Sequence, residues 1–354
     1  MRAALVPRSG ALLSRLVVAL LGGAMLACGS ASSPSSSSSS KAVTLRLGYF
    51  ANLTHATALV GLEKGTYVQT LGRDVALKTS VFNAGPEAVQ ALLSNSVDAS
   101  YVGPNPAVNA FVQSHGNAVR VVAGATSGGA SLVVNPSISS AADLRGKRVA
   151  TPQLGNTQDV ALRWWLSQNG LETSPQGGGD VTILPQDNAQ ALQAFRSGQI
   201  DGAWVPEPWA TRMIIEGGAK QLVDERSLWP GGVFATTLLV VRTDFLKAHR
   251  DVVKRLLEAQ VSTGHFLGQQ SADAQRLADE ALANLTGKRL SDQVIAASWS
   301  HMTFTNDPEM ASVRTAADHA QKVGLLSKVD LKGISDVSVL NEVLAANGLA
   351  KVSG

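Results

Sequence analysis

Two stretches of this chain repeat one another at a fixed spacing. Ala88–Pro106 reads AVQALLSNSVDASYVGPNP, and Ala191–Trp209 reads ALQAFRSGQIDGAWVPEPW. Ala88/Ala191, Gln90/Gln193, Ala91/Ala194, Ser94/Ser197, Asp98/Asp201 and Val102/Val205 all keep an offset of 103 residues. Each stretch has the form of a helix end, a turn, a short buried strand and a proline-marked exit. The same offset pairs Thr54 with Thr157 and Leu59 with Leu162. The repeated unit is then β-α-β-α-β, which requires parallel strands and right-handed crossovers. A chain of 354 residues has room for two such units, each with its own core.

The rest of the pattern places the elements. Thr44–Phe50, Val75–Phe82, Asp98–Val102 and Val119–Ala125 read as strands of the first unit. Helices are expected from Ala56 to about Lys64, from Gly85 to Ser94, and from Gly103 onward, with Asn52 or Thr54 as the first N-cap. Leu132–Asn135, Arg148–Thr151, Val181–Pro185, Asp201–Val205 and Leu222–Asp224 read as strands of the second. There the loop Pro152–Asp159 leads into a helix over Ala161–Gln168, and Ala189–Arg196 forms another. Thr236–Arg242 is a β-branched strand, and from Thr243 the pattern is mostly helical. Two glycine-rich passages, Gly124–Ser131 and Trp229–Phe234, are expected to cross between the halves. This divides the body into one lobe of 42–126 plus 232–354 and a second lobe of 127–231, with a hinge between them.

The N-terminus reads as an address. Arg2, Arg8 and Arg15 precede the apolar run Leu16–Leu26, which is too short to span a bilayer of about 30 Å as a resident helix. Residues 1–27 are thus expected to be a signal peptide. Met25-Leu26-Ala27-Cys28 resembles a bacterial lipobox, in which Cys28 takes a thioether-linked lipid and becomes the mature N-terminus. The serine-rich stretch that follows makes 28–41 a lipidated linker with nothing in it to build a core. The chain has 30 basic and 27 acidic residues, and three of the arginines lie in the signal segment. The remainder is near neutral, which argues against nucleic acid as a partner.

No catalytic constellation stands out. There is no H-E-x-x-H, G-x-S-x-G or P-loop motif, and the six histidines have no metal-ligand spacing. No metal, cofactor or enzymatic activity is expected. The strand-to-helix turns carry the chemistry instead. Asn52-Leu53-Thr54-His55, Gly103-Pro104-Asn105, Ser127–Ser131 and Gly155-Asn156-Thr157-Gln158 offer amides, hydroxyls and backbone N–H groups without a Lys or Arg. Helix N-termini of this kind bind small anions. Taken singly, each turn is also what an ordinary cap looks like. His55 is either an anion donor or a surface histidine. Tyr101 and Trp204 are expected to pack beneath the cleft, and Trp209 to wall it. Glu207 either meets an amine on the ligand, holds a backbone N–H, or points away.

At these residues the sequence resembles the substrate-binding proteins of ABC importers for nitrate, aliphatic sulfonates and taurine. The resemblance lies in L-R-L-G-Y-F-x-N-L-T-H from Leu45, Gly103-Pro104-Asn105-Pro106, Gly128-Gly129-Ala130, Pro152–Thr157 and Asp201–Trp209. It implies an α/β, two-lobe type II periplasmic-binding-protein fold with a hinge and an interlobe ligand cleft. It also implies a small anionic ligand, delivery to a permease driven by a cytoplasmic ATPase, and an extracytoplasmic monomer held to the membrane through the lipid. The ligand-binding positions it implies are Asn52, His55, Asn105, Gly129, Asn156, Thr157, Glu207 and Trp209. An aliphatic sulfonate is the first expectation, with nitrate or taurine as the alternative. An enzyme of the pyrimidine-synthesising family on the same architecture would need reactive side chains clustered in the cleft.

Overall fold

The computed structural model describes residues 42–354 except Gln270 and Val329. The expected signal segment, Cys28 and the linker 28–41 lie outside the described residues. The first unit supplies β1 (Val43–Phe50), β2 (Val75–Phe82), β3 (Ala99–Val102) and β4 (Val119–Gly128). The second supplies β5 (Ala130–Val134), β6 (Arg148–Thr151), β7 (Thr182–Pro185), β8 (Gly202–Pro206) and β9 (Lys220–Asp224). β10 (Ala235–Arg242) and β11 (Met302–Phe304) follow. The large sheet has the order β11-β4-β10-β3-β1-β2, and the small sheet β7-β6-β8-β5-β9. Apart from β11, which has no counterpart, the two orders match strand for strand: β1 is parallel to β2 and β3, as β6 is to β7 and β8. In the same places β10 and β5 run antiparallel to both neighbours.

The repeat extends to individual hydrogen bonds. Arg46 N donates to Asp98 Oδ2 at 2.9 Å, and Asp98 N returns to Arg46 O at 2.8 Å. Arg148 and Asp201 reproduce both bonds at the same distances. Each guanidinium then reaches the carbonyl of the preceding turn, Asn95 in one unit and Gly198 in the other. Half-exposed ion pairs of this kind add little stability. Their effect is to fix the register of the two central parallel strands.

Ten helices flank the sheets before the C-terminal region: α1 (Ala56–Glu63), α2 (Thr66–Leu71), α3 (Gly85–Leu93), α4 (Pro104–Gln113), α5 (Thr157–Gln168), α6 (Asn188–Arg196), α7 (Trp209–Gly217), α8 (Thr243–Ala248), α9 (Arg250–Gln269) and α10 (Ser271–Thr286). α11 (Asp292–Ser300), α12 (Met310–Lys322) and α13 (Ser338–Ala346) complete the set among the described residues. Alternation along the strands sends side chains to opposite faces. Leu45, Leu47 and Tyr49 pack with α1 and α9, whereas Val102, Val121 and Val240 pack with α3, α4 and α12. In the small sheet Trp204 joins Leu162 and Leu166 on one face, while Ala203 and Val205 join Phe195 and Met213 on the other.

Several expectations need correction. β4 does not end at Ala125 but stays paired through Gly128, because β10 and β11 continue to hydrogen-bond to it on both sides. The chain passes to the small sheet at Gly128-Gly129, whose φ values of 75° and 77° suit glycine. Ser127–Ser131 is therefore a strand-to-strand passage and not a strand-to-helix turn. α5 starts at Thr157, a turn earlier than expected. Neither Asn52 nor Thr54 caps a helix through its side chain. β11 lies inside the stretch expected to be helical, and α2 and α7 add helices the pattern did not mark.

Candidate functional site

The carboxyl ends of the parallel strands of both sheets meet at one crevice, the place where such sheets bind ligands. Phe50, Asn52, Thr54 and His55 follow β1, Asn83 and Ala84 follow β2, and Gly103 follows β3. From the small sheet come Pro152, Asn156, Thr157 and Gln158 after β6, Asn188 after β7, and Pro206 at the end of β8. These residues are the starts of the Leu53–His55 turn and of α3, α4, α5 and α6. Their partial positive ends converge on one space. The space is about 320 Å³ counting its open mouth. The halves are thus close together, and the interior suits a small head group.

None of the lining side chains is charged at neutral pH. His55 is 2% exposed, and burial lowers its pKa to about 3. Phe50 N donates to His55 Nδ1 at 3.3 Å, so the ring proton belongs on Nε2. Among the described residues Nε2 has no hydrogen-bond partner, which leaves a neutral donor at the crevice. Thr157 Oγ1 is buried and also without a partner. Asn156 caps α5 with extended backbone but makes no side-chain cap bond. Asp159 N and Val160 N donate to Asn156 O, each at 3.1 Å, which leaves the N–H groups of Thr157 and Gln158 free to donate. Asn156 Nδ2 instead donates to Gln158 Oε1 at 3.1 Å.

Asp159 holds this loop in shape. It is fully buried and accepts from Thr151 Oγ1 at 2.9 Å, Gly155 N at 2.9 Å and Arg163 Nε at 3.0 Å. Across the crevice, Gly103 lets Thr157 approach: an added Cβ there would lie 2.3 Å from Thr157 Oγ1.

The structure thus brings Asn52, His55, Asn156 and Thr157 to the crevice. The other four named positions sit around it. Asn105 is buried and donates Nδ2 to Ala316 O at 3.0 Å. Gly129 lies in the passage between sheets, where an added Cβ would meet Met302 at 2.6 Å and Thr54 at 3.1 Å. Trp209 Nε1 donates to Asn52 Oδ1 at 2.8 Å, with the Arg212 guanidinium 4.8 Å over the indole. That bond leaves the Asn52 amide N–H₂ free. Glu207 holds the start of α7, accepting from Thr211 N at 3.1 Å and Thr211 Oγ1 at 3.0 Å.

Sequence reasoning missed His301. Its Nδ1 donates to Glu207 Oε1 at 2.6 Å, and this bond raises the His301 pKa despite partial burial. The pair ties the small-sheet exit to the end of α11. Leu53 N also donates to Glu207 O at 3.1 Å, so Glu207 joins the halves rather than facing the crevice, which its neighbour Pro206 lines. Nothing in the sequence marked His301: it is one of six histidines without metal-ligand spacing, in a stretch that reads as helical.

A model of the NMT1-like family matches residues 38–282. The chain belongs to the NMT1-like family. Among relatives of this NMT1-like chain, the taurine-binding periplasmic protein of Escherichia coli is 30% identical over 184 residues, 51% of this chain and 54% of that protein. The chain spans 54–64% of the length of these curated relatives. The fold is that of the nitrate-binding protein NrtA of Synechocystis, with TM-score 0.75, 16% identity, and 86% and 89% of the two chains covered. It is also that of the alkanesulfonate-binding protein SsuA of Xanthomonas axonopodis bound to MOPS, with TM-score 0.67, 22% identity, and 81% and 95% covered. The expected α/β periplasmic-binding-protein fold is therefore the fold of this NMT1-like chain, built on two sheets.

Proposed function

We propose that this chain is the extracytoplasmic solute-binding component of an ABC importer, and that it captures a small oxoanion, an aliphatic sulfonate first of all. The observation that carries this reading is the crevice: helix starts from both sheets converge on it, its donors are neutral, and no lining side chain is charged at neutral pH. A sulfonate spreads one charge over three oxygens, which many such donors satisfy without a counter-ion. The names of relatives and structural neighbours, which include taurine, alkanesulfonate and nitrate binding, support the same class. Ligand bridging both halves stabilises the closed form, and the closed form is what the permease accepts.

The lining residues do not favour an enzyme. They include one imidazole and no thiol, carboxylate or amine, and the Thr157 hydroxyl has no base beside it. Nitrate and taurine remain the alternative ligands of the same role. Thermal shift with short alkanesulfonates, taurine and nitrate separates them. A shift with nitrate and none with any sulfonate would remove the leading ligand.

Two expected outcomes follow from the parts. Thr157→Val should weaken oxoanion binding by about 1–2 kcal/mol, because one buried donor is lost. Calorimetry reads this directly, and unchanged affinity would strike Thr157 from the site. Anchoring is tested at Cys28: Cys28→Ser should release the protein from membranes into the soluble fraction. Retention on the membrane would exclude a lipid on Cys28 as the anchor.

A further inference from the structure

The crevice opens to solvent on one side. Of its lining residues only Asn83 is exposed, and the others are buried. Asn83 stands between β2 and α3. β2 is the edge strand of the large sheet on the side away from β4, through which the chain passes to the small sheet. In the small sheet β6 lies next to the edge strand β7 and two places from β5, where the chain enters. The mouth is therefore on the side away from the Gly128-Gly129 passage. Two bonds already described between the halves, Leu53 N to Glu207 O and Trp209 Nε1 to Asn52 Oδ1, lie beside the passage, where Glu207 N donates to Gly129 O at 2.9 Å.

Glu87 stands at the mouth. It lies in the first turn of α3, half-buried and just outside the crevice lining. Its Oε2 accepts from Asn83 N at 3.1 Å, and its Oε1 accepts from Gln153 Nε2 at 2.8 Å. Gln153 follows β6 and adjoins the lining residue Pro152. The second bond thus crosses from one half to the other, and it exists only while the halves are together. Among the described residues no Lys or Arg pairs with Glu87. A carboxylate without a cation therefore stands where a small anion must pass, and like charges repel.

We propose that Glu87 and Gln153 form the gate of the crevice. Glu87 repels an approaching anion, and once the halves meet it accepts from Gln153 and slows the anion's escape. The proposal rests on the oxoanion reading of the crevice. The two residues act separately: the charge of Glu87 acts on an anion in passage, and the bond to Gln153 acts on the closed form.

The test is stopped-flow kinetics with methanesulfonate on the full chain in detergent, with calorimetry for the affinity. Tryptophan fluorescence supplies the signal, since Trp209 bonds to the lining residue Asn52. At about 0.01 M salt Glu87→Gln should bind at least about threefold faster than the unsubstituted protein. That ratio should fall towards one at about 0.5 M salt, where the charge is screened. Gln153→Ala keeps the charge and loses the bond. Its association rate should stay within about twofold, while dissociation becomes at least about fivefold faster. Calorimetry should show the matching loss of affinity. A Glu87→Gln ratio that stays at one, or that does not change with salt, would overturn the gate. Unchanged dissociation and affinity in Gln153→Ala would overturn it too. Absence of saturable methanesulfonate binding to the unsubstituted protein would instead overturn the oxoanion reading of the crevice, and the gate with it.

Discussion

Asp159→Ala should destabilise the protein by about 3–5 kcal/mol, the usual cost of removing one partner from a buried ion pair. Asp159 and Arg163 are both essentially inaccessible, at 0% and 1% side-chain exposure. Alanine would leave the Arg163 guanidinium buried with only the Ser174 carbonyl to accept from it, and its Nη2 already lacks a partner. Thr151 Oγ1 and Gly155 N would lose their acceptor at the same time. Urea unfolding measures the change. A loss below about 1 kcal/mol would contradict the role given to the pair. Replacing both residues with apolar side chains of similar volume should recover much of the stability, because no charge is then stranded. It should not recover ligand affinity, since the Gly155–Thr157 loop would still lack its support.

Gly103→Val should act in the opposite way, leaving the fold largely intact while impairing closure. Gly103 has φ −72° and ψ 165°, an extended conformation any residue adopts, so its backbone gives no reason for glycine. The reason is contact. An added Cβ would meet Thr157 Oγ1 at 2.3 Å and Thr236 O at 3.5 Å. Valine would hold the halves apart at the place where ligand must bridge them. Oxoanion affinity should fall by at least about a hundredfold, or about 2.7 kcal/mol. The denaturation midpoint without ligand should move by much less. Small-angle scattering with ligand should show a larger radius than the unsubstituted protein. Thr157→Ala in the same chain should relieve the clash in part. Full affinity in Gly103→Val would show that the halves do not close on the ligand here.

The sequence made the repeated parts legible because they are local. A helix, a turn and a strand leave periodic signals within a short window, and the 103-residue offset linked two such windows. The Asp98 and Asp201 match was visible, but the arginines that complete it, Arg46 and Arg148, lie about fifty residues away and could not be paired by pattern. Four crevice residues could be picked out for a related reason. Asn52, His55, Asn156 and Thr157 stand at strand-to-helix turns, and such turns face the same end of a parallel sheet.

What was not legible depends on distant partners. Asn105 stands at an equivalent turn, yet α12 passes close enough for Ala316 O to take its amide. The passage Ser127–Ser131 looked like a loop from its glycines, but β10 and β11 keep Ser127-Gly128 in the large sheet, and β8 and β9 take Ala130-Ser131 into the small one. The three residues of β11 are too few to show a period. Glu207 presented an open choice in sequence. His301, Thr211 and Leu53 close it by occupying the carboxylate and the carbonyl.

The central claim is that neutral donors in the crevice hold a small oxoanion. Its most direct test is the affinity for methanesulfonate, measured by calorimetry from pH 5 to pH 8. Methanesulfonate has no tail, so it reports the crevice alone. His55, with its pKa lowered to about 3, stays neutral across that range. Proton uptake should therefore not accompany binding, and one-site affinity should be flat with pH. Absence of saturable binding, or an affinity that rises about tenfold for each unit of falling pH, would contradict the claim.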